Sequence, residues 1–557
     1  MNIQNKRSVI VFPLILSLVL IVGIIIGVRL SNSGIGDRLL IYPRTDKVST
    51  ILNMIEDSYV DTISRERLEE KAISSILKNL DPHSVYIPAD EVQAMNDPLE
   101  GNFSGIGIIF NNLNDTVIVV STVPNGPSAK AGIKAGDRLV KVNDSIVAGK
   151  NIHIDAVVKR LKGKKGTLVS VAVKRPGTRQ LLQFKIQRGM IPIYSIDASY
   201  MIAPSIGYVK INKFAKTTHD EFVSAAKKLH KQGMKKIIVD LRGNGGGLLE
   251  TAIDIADEFL DNHKLIVYTQ GRSRSRTDAY STPGGECLKD SVVVLIDEYT
   301  ASASEIFAGA IQDNDRGWIV GRRSFGKGLV QEQSPLPGGA AFRLTIARYY
   351  TPSGRCIQKS YKNGKEEYFG EVHNRAIHGE LEDADSIKLN LHQHYKTRGG
   401  REVYGGGGIM PDFFIPVDTS AYTRYYYYLY EKGLVSQFAF RYADNNRFTL
   451  SKLKTYKEMQ NYVRKDDILD KMVKYAEAHG VKKNNRDLKI SSSVLQTQLE
   501  AYVVRNFFDD AGFYPVLNIA DNTLREAVAI CDKGKVAYTH YLKKSAKSKS
   551  NQTPLLD

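Results

Sequence analysis

Three short stretches of the chain carry residue types that could do chemistry together. The first, DLRGNGGG at residues 240–247, follows a predicted strand and precedes a predicted helix. Glycines there let several backbone N–H groups point at one spot, which suits a bound anion or a developing oxyanion. A plain strand-to-helix turn has the same composition, so the glycines alone are a weak signal.

The second stretch, TASASEIF at residues 300–307, also lies at a predicted strand-to-helix junction. A serine at such a junction is exposed at a strand end beside the N–H groups of a starting helix, which suits a nucleophile. The alternative is a helix N-cap, because Ser302 or Ser304 together with Glu305 is typical of a helix start. Taken alone, the stretch favours the N-cap.

The third stretch, GRRSFGKGLVQ at residues 321–331, contains the G-x4-G-K spacing of a phosphate-binding loop. Two features argue against nucleotide binding: Gly328 replaces the serine or threonine that would ligate Mg²⁺, and LVQEQSPLPGG does not continue as a helix. A lysine held among glycines beside Phe325 could instead be shielded from solvent. Dehydration lowers its pKa and makes Lys327 a usable base.

Together the three stretches supply a nucleophile, a base and an oxyanion hole. None of the 11 histidines of the chain lies in them. This combination predicts acyl transfer by a Ser-Lys dyad rather than by a serine-histidine pair.

The elements that must position these residues form an α/β pattern. Strand and helix alternate from residue 205 to about residue 416, with helices predicted over 218–229, 249–260 and 304–311. Repeated βα units predict an α/β core.

The flanking regions have other patterns. Residues 47–100 are predicted to be mainly helical, and residues 104–187 form short β-rich runs separated by turns, with one helix predicted over 156–161. Residues from 417 onward have the amphipathic spacing of helices, and the last dozen residues carry no apolar pattern and are predicted to be disordered.

The N-terminus predicts a membrane anchor. Lys6 and Arg7 precede an uncharged apolar run at residues 9–28, which is long enough to span a bilayer. Positive charge before the run keeps the N-terminus cytoplasmic and exports the remainder. An uncleaved anchor is favoured over a signal peptide because the run exceeds a usual h-region and no A-x-A-like site follows. We therefore expect a single-pass protein of the inner (cytoplasmic) membrane whose catalytic part is periplasmic.

Composition excludes several other classes. The net charge of +17 could indicate nucleic-acid binding, but the basic residues are scattered along the chain and are not gathered with aromatic residues on one face. A nucleic-acid partner is therefore not predicted. The three cysteines are widely spaced and suit neither a disulfide framework nor a zinc site. The sequence predicts no metal and no cofactor, and it leaves a homo-oligomer open.

Several motifs resemble those of the carboxyl-terminal processing proteases, also called tail-specific proteases. They occur in the family order: FSGIGI, GPSAKAGIKAGDRLVKVN, DLRGNGGG, TASASEIFAGAIQD, GRRSFGKGLVQ, YYTPSGRCIQ and GGGGIMPD. The resemblance implies an α/β fold with a crotonase/Clp-protease-like spiral core of ββα units and an inserted PDZ domain. Together with the sequence patterns, it predicts these segments: anchor 1–30, helical segment 31–100, PDZ domain 101–188, protease core 189–416, helical C-terminal extension 417–545 and disordered tail 546–557.

The same resemblance implies roles for individual residues. Ser302 matches the nucleophile, Lys327 the general base, and Gln331 the residue that orients this lysine. The backbone N–H of Ala303 and that of Gly246 or Gly247 match the oxyanion hole, and the sequence does not choose between the two glycines.

The PDZ resemblance implies a peptide-binding groove. Its carboxylate-binding loop donates N–H groups, its adjoining strand pairs with the peptide, and a helix forms the other wall. The residues implied are Gly105, Ile106, Gly107 and Ile108 on the loop side, with Val157, Val158 and Leu161 on the helix. A PDZ fold that only packs structurally is the less favoured alternative.

We therefore expect a serine endopeptidase whose partners are proteins or peptides with apolar C-terminal tails. A membrane-tethered PDZ scaffold that binds tails without cutting them is the alternative, and a nucleotide hydrolase rests only on the rejected G-x4-G-K match.

Overall fold

The computed structural model describes residues 16–24, 47–113, 115–149, 152–388, 390 and 392–534. Residue contacts divide the chain into two compact units, Met1–Asn79 and Leu80–Asp557. Most of the predicted anchor at 9–28 and all of the predicted tail at 546–557 lie outside the described residues. Among those that are described, no helix has both the length and the apolar character needed to cross a bilayer.

The first unit is helical where it is described, as predicted. Residues 16–24 are helical and are followed by α1 (Lys47–Ser58) and α2 (Arg65–Lys78). Ser64 caps α2 by accepting a hydrogen bond from the N–H of Arg67. The Arg65 guanidinium reaches Glu56 on α1 at 2.7 Å and so joins the two helices.

The second unit opens with a short strand, a helix and a small β-rich domain. The main sheet of that domain has the order β3-β4-β5-β7-β8, with β6 beside β5, so β3 lies at an edge; β2 pairs with β9. The predicted helix over 156–161 is confirmed and begins two residues earlier. The elements are β1 (Val85–Ile87), α3 (Ala89–Glu100), β2 (Asn102–Gly105), β3 (Ile108–Asn112), β4 (Val117–Thr122), α4 (Pro127–Ala131), β5 (Arg138–Val142), β6 (Ser145–Ile146), α5 (Ile154–Leu161), β7 (Leu168–Lys174), β8 (Leu182–Gln187) and β9 (Gly189–Pro192).

The larger core follows and alternates strands with helices. Its elements are β10 (Ile196–Ala203), β11 (Ile206–Ile211), α6 (Thr218–Lys231), β12 (Lys236–Asp240), α7 (Leu249–Asp257), β13 (Leu265–Gln270), β14 (Thr277–Tyr280), β15 (Ser291–Ile296), α8 (Ala303–Asp313), β16 (Gly317–Gly321), β17 (Leu329–Pro335), β18 (Ala341–Tyr350), α9 (Lys365–Ile377), β19 (His394–Lys396), β20 (Glu402–Tyr404) and β21 (Phe413–Phe414). The helices predicted over 218–229 and 304–311 are confirmed. Helix α7 ends three residues before its predicted end, because Phe259 and Leu260 bond three residues back in a tighter turn.

The C-terminal region is helical, as the amphipathic spacing predicts. Its helices are α10 (Arg424–Glu431), α11 (Leu434–Asn445), α12 (Arg447–Leu450), α13 (Tyr456–Lys465), α14 (Ile468–Ala478), α15 (Asn485–Leu517) and α16 (Asn522–Lys533). Helices α10 to α15 bury a core of their own, whereas α16 packs on the strands of the larger core.

The central sheet of the larger core is covered on both faces. It has the order β10-β11-β12-β15-β16-β21, and its strands from β11 to β21 run parallel. Alternate residues of a strand point to opposite faces, so Ile237 and Val239 pack against α6, α7 and α8. Ile238 packs on the other face, against Leu524 and Ile530 of α16. Parallel sheets are normally buried in this way, which explains the near-continuous apolar runs of these strands.

A second, antiparallel sheet was not predicted from the sequence. It has the order β1-β18-β13-β14, with β17 paired to β18. Strand β17 begins directly after the GKG turn, and its polar residues gave no apolar run to identify it. This sheet carries Gln331 and one wall of the candidate site. A mixed helix-and-sheet core with a separate β-rich domain is thus confirmed, while the ββα spiral stays a prediction.

Candidate active site

One cleft of about 750 Å³ brings the predicted catalytic residues together. Its walls come from the loop before α7, the start of α8, the loop after β16, and strand β17. The predicted residues that line it are Ser302, Ala303, Lys327, Gln331, Gly246 and Gly247.

Ser302 lies at the sharp junction between β15 and α8. Its backbone angles are φ 58° and ψ −118°, a region that residues with a Cβ rarely occupy and that costs about 1–3 kcal/mol. A strained strand-to-helix turn of this kind presents a serine hydroxyl at the end of a sheet. Ser302 is also the N-cap position of α8, so both interpretations of TASASEIF describe one residue. Ser304 is fully buried and its hydroxyl donates to the Asn244 carbonyl at 3.0 Å.

Lys327 is a largely buried amine held by a glutamine. Its Nζ donates to Oε1 of Gln331 at 3.1 Å. Burial lowers the pKa of Lys327 to about 8, and the positive charge of Arg343 lowers it too, while Glu305 and Asp81 oppose that shift. A minor but usable fraction of the amine is therefore neutral, and able to take a proton, at pH 7, and this fraction rises with pH.

Gln331 is fixed by a turn far away in the sequence. Its Nε2 donates to the carbonyl oxygen of His83 at 2.6 Å, which leaves Oε1 facing Lys327. The turn is held by the Asp81 carboxylate, which accepts from the N–H groups of His83 and Ser84. No role in the site was predicted for this turn, LDPHS at residues 80–84; the signal that could have found it is an Asp-Pro turn directly after a helix.

The His83 imidazole does not compete with Lys327 as a base. It contacts the Tyr368 hydroxyl at 3.0 Å, and burial lowers the pKa of His83 to about 3. The ring is therefore neutral throughout the range in which Lys327 titrates. No histidine is among the residues described as lining the cleft.

Glu305 joins the loop of Ser302 to the loop of Lys327. Its Oε2 accepts from the N–H groups of Ser302 at 2.8 Å and of Lys327 at 2.9 Å. Its Oε1 accepts from the Ser324 hydroxyl at 2.5 Å and from the Gly326 N–H at 2.8 Å. Burial raises the pKa of Glu305, and these hydrogen bonds counter the shift by favouring the ionised form. The sequence pattern predicted only a helix start for this residue.

The glycine-rich loop packs directly on Ser302. Gly246 has φ 102°, and a Cβ there would lie 2.7 Å from Cβ of Ser302 and 2.9 Å from the nitrogen of Ala303. The Gly246 N–H already donates to Oδ1 of Asn244 at 2.8 Å. Within the described part of the chain, the N–H groups of Gly247 and Ala303 have no acceptor. The geometry thus distinguishes between the two glycines that the sequence left open.

A buried ion network anchors the same loop to the C-terminal region. Arg242 donates to both oxygens of Asp240 and, from the other side, to Asp521 at 2.7 Å and 3.1 Å. Asp521 also caps α16 by accepting from the N–H of Leu524. Helix α16 therefore reaches the glycine loop through one arginine, a link that the sequence did not suggest.

The predicted peptide-binding residues lie around a groove of the small domain. The groove runs between edge strand β3 and helix α5 and is lined by Phe103, Gly105, Ile106, Gly107, Ile108, Phe110, Val158, Leu161 and Lys162. Val157 is only 2% exposed and lies in the core of the domain, so Val158 and Leu161 provide the helix wall. The N–H groups of Ile106 and Gly107 have no backbone acceptor in the described chain, as a carboxylate-binding loop requires.

Comparison with known families identifies three parts of the chain. Peptidase family S41 matches residues 205–364, a PDZ domain matches residues 104–186, and a family of unknown function matches residues 425–509.

Two named relatives each match more than half of this chain. The carboxy-terminal processing protease CtpB of Bacillus subtilis (strain 168) is 35% identical over 317 residues, which are 56% of this chain and 65% of that protein. The carboxy-terminal-processing protease of Bartonella bacilliformis is 36% identical over 322 residues, which are 57% of this chain and 73% of that protein. The match thus spans slightly less than two thirds of the Bacillus relative.

Among solved structures, the photosystem II D1 C-terminal processing protease is 29% identical. The match covers 55% of this chain and 82% of that one, with a TM-score of 0.31.

Glu305→Gln tests the link between the two loops. The substitution replaces one carboxylate oxygen, which accepts two hydrogen bonds, by an amide nitrogen that can accept none. The two donors left without an acceptor cost about 1–3 kcal/mol of stability, and we expect Ser302 to shift relative to Lys327. We expect kcat/KM for peptide cleavage to fall about a hundredfold or more. Glu500→Gln is the matched control, because Glu500 is also fully buried and accepts from Arg464 and Gln460, but in the C-terminal helices. A folded Glu305→Gln protein with unchanged kcat/KM would contradict the role.

Proposed function

Since this chain belongs to peptidase family S41, we propose that it is a serine endopeptidase in which Ser302 is the nucleophile and Lys327 the general base. The observation that carries the proposal is the buried Lys327 amine, held by Gln331 and tied through Glu305 to the strained Ser302. A base with a pKa near the working pH is the most effective one, and burial moves this lysine toward that range.

The first half of the reaction forms an acyl-enzyme. Neutral Lys327 takes the proton of the Ser302 hydroxyl while Oγ attacks the carbonyl carbon of the peptide bond. The N–H groups of Gly247 and Ala303 stabilise the negative charge that develops on the carbonyl oxygen. The Lys327 ammonium then gives its proton to the leaving nitrogen, the C–N bond breaks, and the C-terminal fragment departs.

The second half repeats these steps with water. Neutral Lys327 takes a proton from a water molecule that attacks the ester carbon, and returns it to Oγ of Ser302 as the ester bond breaks. Gln331 would hold the amine in place throughout, because its Oε1 accepts from Lys327 and its own amide is fixed by the His83 carbonyl. The N-terminal fragment leaves with a new carboxylate.

We further propose that the small domain recognises the C-terminal tail of the substrate. An apolar terminal side chain would fill the groove beside Val158 and Leu161, and the terminal carboxylate would accept from the N–H groups of Ile106 and Gly107. Edge strand β3 offers its outer side to the peptide backbone. Holding the tail raises the local concentration of the chain that is to be cut.

Two further parts of the proposal rest on the sequence. The apolar run at residues 9–28 would anchor the chain in the inner (cytoplasmic) membrane, with the catalytic part in the periplasm. The core would follow the crotonase/Clp-protease-like spiral of ββα units. A scaffold that binds tails without cutting them is not favoured, since it would leave the strained Ser302 and the buried Lys327 without a purpose.

Replacing the dyad tests the proposed chemistry. Ser302→Ala should lower kcat for a peptide substrate by about 10⁴-fold or more, and Lys327→Ala by at least about 10²-fold, with folding and tail binding intact. Ser304→Ala is the matched control; it removes one buried hydrogen bond but no nucleophile, so activity should stay within about tenfold. Substantial cleavage by Ser302→Ala, or equal loss in Ser304→Ala, would refute the assignment.

Paired peptides test the tail-reading role. A peptide with a free apolar C-terminus should be cut with a lower KM or higher kcat than its amidated twin, because only the free acid offers a carboxylate to the groove. Val158→Asp, which places a charge in the groove, should remove this difference. Ala156→Asp on the exposed side of the same helix should preserve it. Equal cleavage of both peptides by the unmodified protein would mean that the domain does not read tails.

A further inference from the structure

Arg343 is a cation in the wall of the cleft, and it has no acidic partner in the described part of the chain. It lies on β18, opposite Gln333 of β17, and its Nη2 donates to Oε1 of Gln333 at 2.9 Å. Among the residues described, no aspartate or glutamate lies within ion-pair distance of it. Burial lowers the pKa of Arg343, but a guanidinium stays charged in proteins, so a positive charge remains beside Ser302 and Lys327.

The acidic residues of the cleft do not neutralise this charge. Three glutamates line the cleft, and none of them pairs with Arg343: Glu100 pairs with Lys216 at 2.7 Å, Glu332 pairs with Arg274 at 2.7 Å, and Glu250 forms no ion pair with any described residue. A half-buried guanidinium that keeps only one neutral partner has several N–H donors left for an incoming anion. The planar fork of arginine suits a carboxylate in particular.

Strand geometry gives the spacing between the residue that holds Lys327 and the residue that holds Arg343. Gln331 and Gln333 are two residues apart on β17, so their side chains share one face; Gln331 holds Lys327 and Gln333 holds Arg343. Two residues of a strand cover about 7 Å. A substrate bound in extended form advances by the same distance in two residues.

We propose that Arg343 binds a carboxylate of the substrate about two residues from the scissile bond. The inference rests on the proposed function and adds a substrate preference to it. The carboxylate could belong to an aspartate or glutamate side chain, or to the chain end when the cut lies two residues before it. Both sources offer the same two oxygens to the guanidinium.

The apolar side chains of the cleft cannot bind a carboxylate, so this recognition depends on Arg343. Leu248, Leu249, Ile306 and Leu329 line the same cleft and offer no donor from their side chains. Lys213 also lines it, but on a different wall, before α6. A carboxylate beside Gln333 would therefore find one dominant partner.

The test is a peptide series cut by the full chain. In a neutral reference peptide that the protein cleaves, each position within three residues of the cut is replaced in turn by aspartate or asparagine. One position about two residues from the cut should favour aspartate over asparagine by about tenfold in kcat/KM. A second pair, ending two residues after the cut as free acid or amide, shows whether a chain end serves as well. Equal rates for every aspartate and asparagine pair, together with equal rates for the acid and amide, would overturn the proposal.

Variants assign the preference to its residue. Arg343→Gln should abolish it, Arg343→Lys should keep part of it, and Arg348→Gln should leave it unchanged, since Arg348 is an exposed arginine of the same strand outside the cleft. A preference that survives in Arg343→Gln would overturn the assignment. Failure of the unmodified protein to cut any peptide would instead refute the proposed function, and this inference with it.

A pH profile on the neutral peptide separates this role from a merely structural one. The charged groups acting on Lys327 are Arg343, Glu305 and Asp81, and the nearby His83 is neutral. Because Arg343 lowers the pKa of Lys327, Arg343→Gln should move the rising limb of the profile to higher pH. An unmoved limb together with a general loss of rate would show that Arg343 only supports the fold.

Discussion

The candidate site depends on a single buried carboxylate. The two oxygens of Glu305 accept four donors, one from the turn of Ser302 and three from the loop that carries Lys327, so the strained turn and the glycine turn cannot move independently. The Tyr349 hydroxyl adds a second tie, because it lies within hydrogen-bond distance of the carbonyl oxygens of both Ser302 and Lys327. A charge so deeply buried is tolerated only because every lone pair has a donor.

The rest of the fold supports this arrangement from outside. The parallel sheet ends at the cleft and supplies both the serine turn and the glycine loop, while the antiparallel sheet supplies Gln331 and Arg343. The C-terminal helix α16 covers the far face of the parallel sheet and, through Asp521, holds the arginine of the glycine loop. The C-terminal region is therefore continuous with the catalytic scaffold and is more than an appendage.

The sequence predicted the residues that chemistry restricts and missed those that only geometry reveals. Ser302, Lys327 and the glycines belong to short motifs whose types and spacing have few other uses. Gln331 meets His83, which lies 248 residues earlier, and Arg242 meets Asp521, which lies 279 residues later; neither contact leaves a local pattern. From the sequence, Glu305 was identified only as part of a helix start. The hydrogen bond from the Ser302 N–H to Glu305 caps helix α8 and also helps to link the two loops of the site, so the helix-start pattern gave no separate sign of the second role. The parallel strands were predictable from their apolar runs, whereas β17 and β18 alternate polar residues that line a cleft.

The central claim is that the fold makes Lys327 a usable base, and the ionisation of that amine can be measured directly. In protein carrying ¹⁵N-labelled lysine, the Nζ signal that disappears in Lys327→Arg identifies the residue, and its chemical shift can be followed with pH. We expect a titration midpoint near pH 8. A midpoint near 10.5, the ordinary value for lysine, would show that Lys327 is solvated and charged at working pH, and the dyad would then lack its base.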